Sequence, residues 1–387
     1  WYRYHHLFAD VLQAYAQTKH PEMATTSHQR ASHWFVDQNA RHEAIDHAVA
    51  ANDFELAANQ IELTWHDMDR SFQEAKWLKW VETLPDALIR VRPVLSAQVG
   101  WALLDTGQFE AAEPRLQDAE RWLENPSRDM VVVDKREYEA LPATIAAGQA
   151  YLALGKGDHA ATKRYVQQAL ELVSDDDQFY RGVPTVTLGM AQWAEGELNA
   201  AEDSFAAAIV HFQRADNLLF AVSGVLVLAQ IKVRLGKLHE AAATYAHALR
   251  VIAESGQPLF RSNASLHQGL SLLSCEQGNM EAAQHHLNQS AEHSELAETV
   301  GREHLQDVAA ANLAWAAGDW AAAQAHLDRA AASYQRGRMA EYATIDAIRC
   351  RIWLAQGELS QVREWATRLN LSPTDDFSFL REYTHLT

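Results

Sequence analysis

Residues 191–208 read AQWAEGELNAAEDSFAAA, and their frame decides the fold. Gly196 stands where one helix should end. Apolar Leu198 opens the next, followed by small Ala201, large Phe205 and small Ala208. The frame is a glycine with an apolar residue at +2, a small one at +5, a large one at +9 and a small one at +12. It returns after Gly107 as Phe109, Ala112, Leu116 and Ala119, and after Gly157 as His159, Thr162, Val166 and Ala169. Gly236 leads to Leu238, Ala241, Tyr245 and Ala248, and Gly278 to Met280, Ala283, Leu287 and Ser290. Gly318 leads to Trp320, Ala323, Leu327 and Ala330; after Gly357 the copy is worn, with Leu359, Val362, Ala366 and Leu369. Glycine takes the left-handed backbone that ends a helix without a Cβ clash. The four positions after it fall on one helical face. The glycines stand 50, 39, 40, 42, 40 and 39 residues apart. Seven copies at a period near 40 predict an all-α solenoid of stacked helix pairs.

The small-large-small pattern resembles the second helix of the tetratricopeptide repeat. Seven residues before each glycine, where that repeat places a small residue, stand Gly100, Ala150, Gly189, Ala229, Ser271, Ala311 and Cys350. The resemblance implies a right-handed α-α superhelix over 91–387, preceded by an atypical helical segment over 1–90. The period exceeds the usual 34 by about six residues, which lengthens each pair by roughly 9 Å. The HEAT and armadillo patterns are not seen.

The chain has 387 residues, 48% of them hydrophobic, enough for an extended core. Nine prolines and 17 glycines suit an almost wholly helical protein. A net charge of −18 argues against gripping nucleic acid, because phosphate binding needs clustered Lys and Arg. Cys275 and Cys350 fall on first helices without a spacing pattern, which points to a reducing cytoplasm. The longest apolar stretch, 218–231, is too short to span a bilayer, so no membrane partner is expected. The chain begins at Trp1 within a helical pattern, as a piece of a longer protein would.

In the opening segment, helices are expected over 1–19 and 22–37, the second burying Ala31, Trp34 and Phe35. Two shorter helices should meet near Asn52, with Asp53 as N-cap. A further helix over 71–84 turns Trp77, Leu78 and Val81 inward, and Pro85 and Pro93 bracket a connector. This stretch resembles the large ATP-dependent, LuxR-type family of MalT-like transcriptional regulators. The resemblance rests on YHHLFADVL (4–12), ASHWF (31–35), EAIDHA (43–48), Trp80, Leu84-Pro85 and Arg92-Pro93, with FLREYTHLT at 379–387. It implies a sensor superhelix whose intact protein also carries a nucleotide-switching ATPase, which would bind ATP, a winged-helix segment and a DNA-binding helix-turn-helix. The chain itself would hold no cofactor, and a small-molecule or protein effector would be its partner. The alternative is a tetratricopeptide scaffold that binds a protein segment and switches nothing.

Catalytic and metal signatures fail on spacing. Gly155-Lys156 has Ala150 where a phosphate-cradling loop needs its first glycine, and Gly157 where the hydroxyl belongs. His42 and His47 stand five apart on a helix, and His285 and His286 are adjacent; both pairs diverge, so no metal is expected from them. Asp175, Asp176 and Asp177 lack the glycine and glutamate of a calcium loop. Most of the twelve tryptophans, Trp320 among them, read as packing residues. The chain therefore reads as a non-enzyme. In such a superhelix the first helix of each pair lines the groove. The row six residues before each glycine gives Trp101, Tyr151, Met190, Gln230, Leu272, Asn312 and Arg351. Flanking rows add Gln268, Trp193 and Trp315. Stacking rings with convergent amides and a cation suit a polar ligand or a peptide. Gln230, Gln268, Asn312 and Arg351 are expected to face the groove.

Overall fold

The structure is a computed structural model that describes residue 15 and residues 21–127, 129–296, 303–333 and 345–372. Among the described residues it contains nineteen α-helices and no strand. The chain divides into two compact units, Trp1–Gly148 and Gln149–Thr387.

The first unit holds α1 (Pro21–Asp37), α2 (Arg41–Ala50), α3 (Phe54–Arg70), α4 (Glu74–Val81), α5 (Asp86–Arg90), α6 (Pro93–Asp105), α7 (Phe109–Glu124) and most of α8 (Lys135–Gly155). Asp53 caps α3 as its sequence suggests, accepting from the Leu56 N–H at 3.2 Å. Trp77 is fully buried: its indole N–H donates to the Ile61 carbonyl at 2.9 Å, and its ring meets Trp65 edge-on at 4.8 Å. Three expectations change here. Trp34 is 47% exposed, because the stripe His28, Ser32 and Phe35 turns toward α2 and Trp34 points about 100° away from Phe35. The helix expected from residue 71 starts at Glu74, because Phe72 takes a left-handed φ of 56°. The connector between Pro85 and Pro93 contains the short helix α5. The helix expected over 1–19 and the 379–387 motif lie outside the described residues, apart from Tyr15.

Arg92, at the entrance to α6, is 1% exposed. It donates to the Glu55 carboxylate at 2.5 Å and to the Asn59 amide oxygen at 2.8 Å. Glu62, 3% exposed, lies 3.7 Å from the same guanidinium, too far for a good hydrogen bond. Burial drives the Glu62 carboxyl up to about 7, against the opposing pull of Arg92. A folded pKa above the unfolded value means that ionising Glu62 costs stability progressively as pH rises toward 7.

The second unit takes the last turns of α8, then α9 (His159–Leu172), α10 (Gln178–Ala194), α11 (Leu198–Arg214), α12 (Leu218–Arg234) and α13 (Leu238–Ser255). It continues with α14 (Phe260–Glu276), α15 (Met280–Leu296), α16 (Glu303–Ala316), α17 (Trp320–Ser333), α18 (Ile345–Gln356) and α19 (Leu359–Arg368). All seven frame glycines, the first of them in unit one, sit in turns at φ between 72° and 80°. The small and large positions after them are buried: Ala201, Phe205 and Ala208 at 0%, and Ala323, Leu327 and Ala330 likewise. The last copy is worn in structure as in sequence, with Leu359 51% exposed and Ala366 half-buried. The three aspartates at 175–177 lie in an interhelix loop, where Asp177 caps α10.

The large +9 side chain needs room on the first helix that faces it. A Cβ added to Gly189 would sit 2.9 Å from Phe205, and one on Gly269 would sit 2.5 Å from Tyr245. In the first unit, Leu116 lies against Gly100 and Gly148 in the same way, at 2.9 and 3.1 Å.

Two predictions follow from this packing and one from the buried acid. Gly196→Val should cost about 1–3 kcal/mol by backbone strain alone, since nothing lies within 4 Å of its Cβ position. Ala201→Leu should cost about 1–3 kcal/mol by overpacking. Urea unfolding of both variants measures this, and near-neutral values would contradict the assigned register. The Glu62→Gln variant should gain on the wild type between pH 5 and pH 8, by on the order of 3 kcal/mol. A stability gap that stays flat with pH would show that Glu62 titrates normally.

Candidate ligand-binding surface

The first-helix row sorts by accessibility. Trp101, Tyr151 and Met190 are 9%, 7% and 3% exposed, and the Trp101 indole N–H donates to the Thr144 carbonyl at 3.1 Å. Gln268 is also buried, at 9%. Trp193, Gln230, Leu272, Asn312 and Trp315 are half-buried, and Arg351 is exposed. The aromatic members at the start of the row are thus sunk among helices, while the polar members at its end are open.

At that end two of the residues meet. The Arg351 guanidinium lies over the Trp315 ring at 4.9 Å. Trp315 in turn rests on a cluster that includes Ala311, Leu327, Ile348 and Ile352, which fixes the ring. Asn312, one turn away on α16, donates from its amide to the Val308 carbonyl at 2.8 Å. A guanidinium held over an indole by its cation–π contact still has N–H groups to offer an acceptor such as a carboxylate. Of the others, Met190 and Trp193 share α10, and Gln268 and Leu272 share α14.

A cleft of about 1080 Å³ opens between the α16–α17 and α18–α19 turns, lined by residues that follow Trp315 and Arg351 in sequence. Trp320 and Trp353 supply rings, Gln324, Gln356 and Gln361 supply amides, and Glu358 a carboxylate. Trp320, read from the sequence as a packing residue, both touches the core and lines this cleft. A smaller hollow of about 460 Å³ lies between α9 and α10. Its one cation, Lys163, is held by Glu195 at 2.6 Å and Glu197 at 3.4 Å, and these carboxylates raise its pKa. The larger cleft is therefore the better equipped for recognition.

Other chemistry is sparse. Burial pushes the Cys275 and Cys350 thiols up to about 11, so neither is a thiolate at neutral pH. Asp69 on α3, Glu74 on α4 and Asp105 on α6 bring carboxylate oxygens within 4.8 Å of one another. No spacing in the sequence joins these three. Of the histidines set aside earlier, His42 packs on Trp80 at 4.9 Å, and His47 meets His28 across α1 and α2. No helix among the described residues is long and apolar enough to cross a membrane.

Helix pairs with a left-handed glycine at the turn and a small-large-small second helix define a protein of tetratricopeptide type. Residues 143–387 match the MalT-like TPR region, and the chain belongs to that family. The serine/threonine-protein kinase PknK of Mycobacterium tuberculosis is 31% identical over 102 residues, which is 26% of this chain and 9% of that protein. The HTH-type transcriptional regulator MalT of Vibrio cholerae is 25% identical over 169 residues, 41% of this chain and 19% of the regulator. The matched part is thus a small fraction of either relative. In structure, the chain is similar to PH0952 of Pyrococcus horikoshii, a Signal Transduction ATPase with Numerous Domains that has a tetratricopeptide repeat sensor. The TM-score is 0.58 at 14% identity, over 90% of this chain and 54% of that one.

Arg351→Ala should lower stability by only about 0.5–1 kcal/mol, the worth of an exposed cation–π contact. A loss above about 2 kcal/mol in urea unfolding would mark Arg351 as a structural residue and not a recognition group.

Proposed function

We propose that this chain is the effector-sensing segment of a MalT-like regulator, and that effector binding biases a nucleotide-switching ATPase carried by the same protein. Family membership is the observation that carries this reading. The open Arg351–Trp315 pair and the cleft supply a surface on which an effector could act. The mechanism is a population shift: the effector must bind one state of the switch more tightly than the other, since equal affinity moves nothing. Asn312, Gln230 and the small exposed part of Gln268 would supply further hydrogen bonds along the first-helix face, with Trp193 as a second ring. Trp101 and Tyr151 would act through packing.

The test is a thermal-shift screen of metabolites and short peptides. An effector at 100 times its Kd adds about 2.7 kcal/mol to stability. Calorimetry on Arg351→Ala, Asn312→Ala, Gln230→Ala and Gln268→Ala then localises it, and intact affinity in all four would exclude this face. Binding of peptides alone, with no effect on nucleotide exchange in the full-length protein, would favour a protein-binding scaffold. The isolated chain should neither hydrolyse ATP nor hold duplex DNA in a salt-sensitive manner, because its net charge of −18 opposes phosphate binding. Tight promoter binding by filter retention would refute that expectation.

A further inference from the structure

Adjacent histidines on one helix diverge, but a helix pair brings together histidines that lie far apart in sequence. His267 on α14 stands eleven residues before Gly278, and His286 on α15 eight after it. Their Nδ1 atoms are 3.1 Å apart. Two nitrogens at that distance share either a proton or a metal ion. Tetrahedral coordination with nitrogen–metal bonds of about 2.0–2.1 Å sets ligand nitrogens roughly 3.3–3.4 Å apart. The two imidazoles are therefore within a few tenths of an ångström of a bidentate site, and both are half-buried, open enough for an ion and its waters to enter.

The surroundings favour an ion. His293, two turns along α15, stacks on His267 with ring centroids 5.6 Å apart and planes 9° from parallel. The His293 Nδ1 is buried and has no hydrogen-bond partner, an orphaned donor or acceptor beside the pair. Phe260 also stacks on His293, with ring centroids 6.4 Å apart. His28 and His47 make the contrast: their Nδ1 atoms are 2.7 Å apart, too close to be two ligands of one ion, and Phe35 stacks on His47.

We propose that His267 and His286 form a binding site for a divalent transition-metal ion of the zinc, nickel and copper class, with water completing the coordination. Imidazole selects these ions over magnesium and calcium. An ion here would tie α14 to α15 across the Gly278 turn.

The experiment titrates the EDTA-treated chain with Ni²⁺ and Zn²⁺ by calorimetry. One saturable ion per chain is expected. His267→Gln and His286→Gln should each weaken it roughly tenfold or more, while His28→Gln leaves it unchanged. Glutamine keeps a hydrogen-bonding group in place, and circular dichroism checks the fold. On the unaltered chain, Cu²⁺ electron paramagnetic resonance should show nitrogen couplings from two imidazoles. Absence of saturable binding, binding that survives either substitution within twofold, an equal loss in His28→Gln, or copper with fewer than two nitrogens would overturn the assignment.

Discussion

Leu116 occupies space that two missing side chains leave open, and the helix pairs depend on contacts of this kind. Gly100 from its own pair and Gly148 from the next one approach it so closely that a Cβ on either would force Leu116 to shift. Phe205 fills the same kind of space against Gly189 of its own pair, and Tyr245 against Gly269 of the next. Interiors are packed as densely as organic crystals, so a large group is accommodated only where its neighbour is small. At Leu116 the contact joins a helix to its partner and to the following pair at once. The turn glycines set where each pair reverses; the wedges set how closely the pairs stack.

Much of this was legible because it is periodic. The glycine spacing located the turn within each pair from Gly107 to Gly357, and the small-large-small positions after the first six of these turns are buried as the pattern requires. The opening segment was harder, because its turns use other residues. Asn39 and Asn52 take φ of 55° and 56°, the role that glycine has later. Asparagine tolerates the left-handed region better than other side chains. With these two as turns, the positions eleven before and eight after bring together His28 with His47 and Arg41 with Gln60, as they do His267 with His286 and Asp307 with His326. A search for glycine alone passes over half of that register. Trp34 shows the complementary limit: hydrophobic character suggested burial, but its place between the stripe positions left it exposed.

The candidate surface was legible in position and not in depth. The row six residues before each glycine does lie on the first helices, yet its aromatic members are sunk while Arg351 stays open. Spacing says which way a side chain leaves its helix. How much of it a neighbouring pair covers depends on volumes contributed from 40 or more residues away. Arg351 and Trp315 belong to different repeats and meet only because α16 and α18 lie near each other. The cleft draws Trp320 and Trp353 from unlike frame positions, which no single periodic row could contain.

Matched wedges and hollows also make the repeats individual. Tyr245 fits a first helix with glycine at 269, and Leu116 fits one with glycine at 148, so these boundaries are keyed by the sizes of two residues on successive repeats. Exchanging whole repeats, or deleting one and joining its neighbours, would set a large residue against an occupied position or leave a void. The array resembles a sequence of locks, each cut for the key beside it. Its repeats can drift in sequence together, but they cannot be shuffled one at a time.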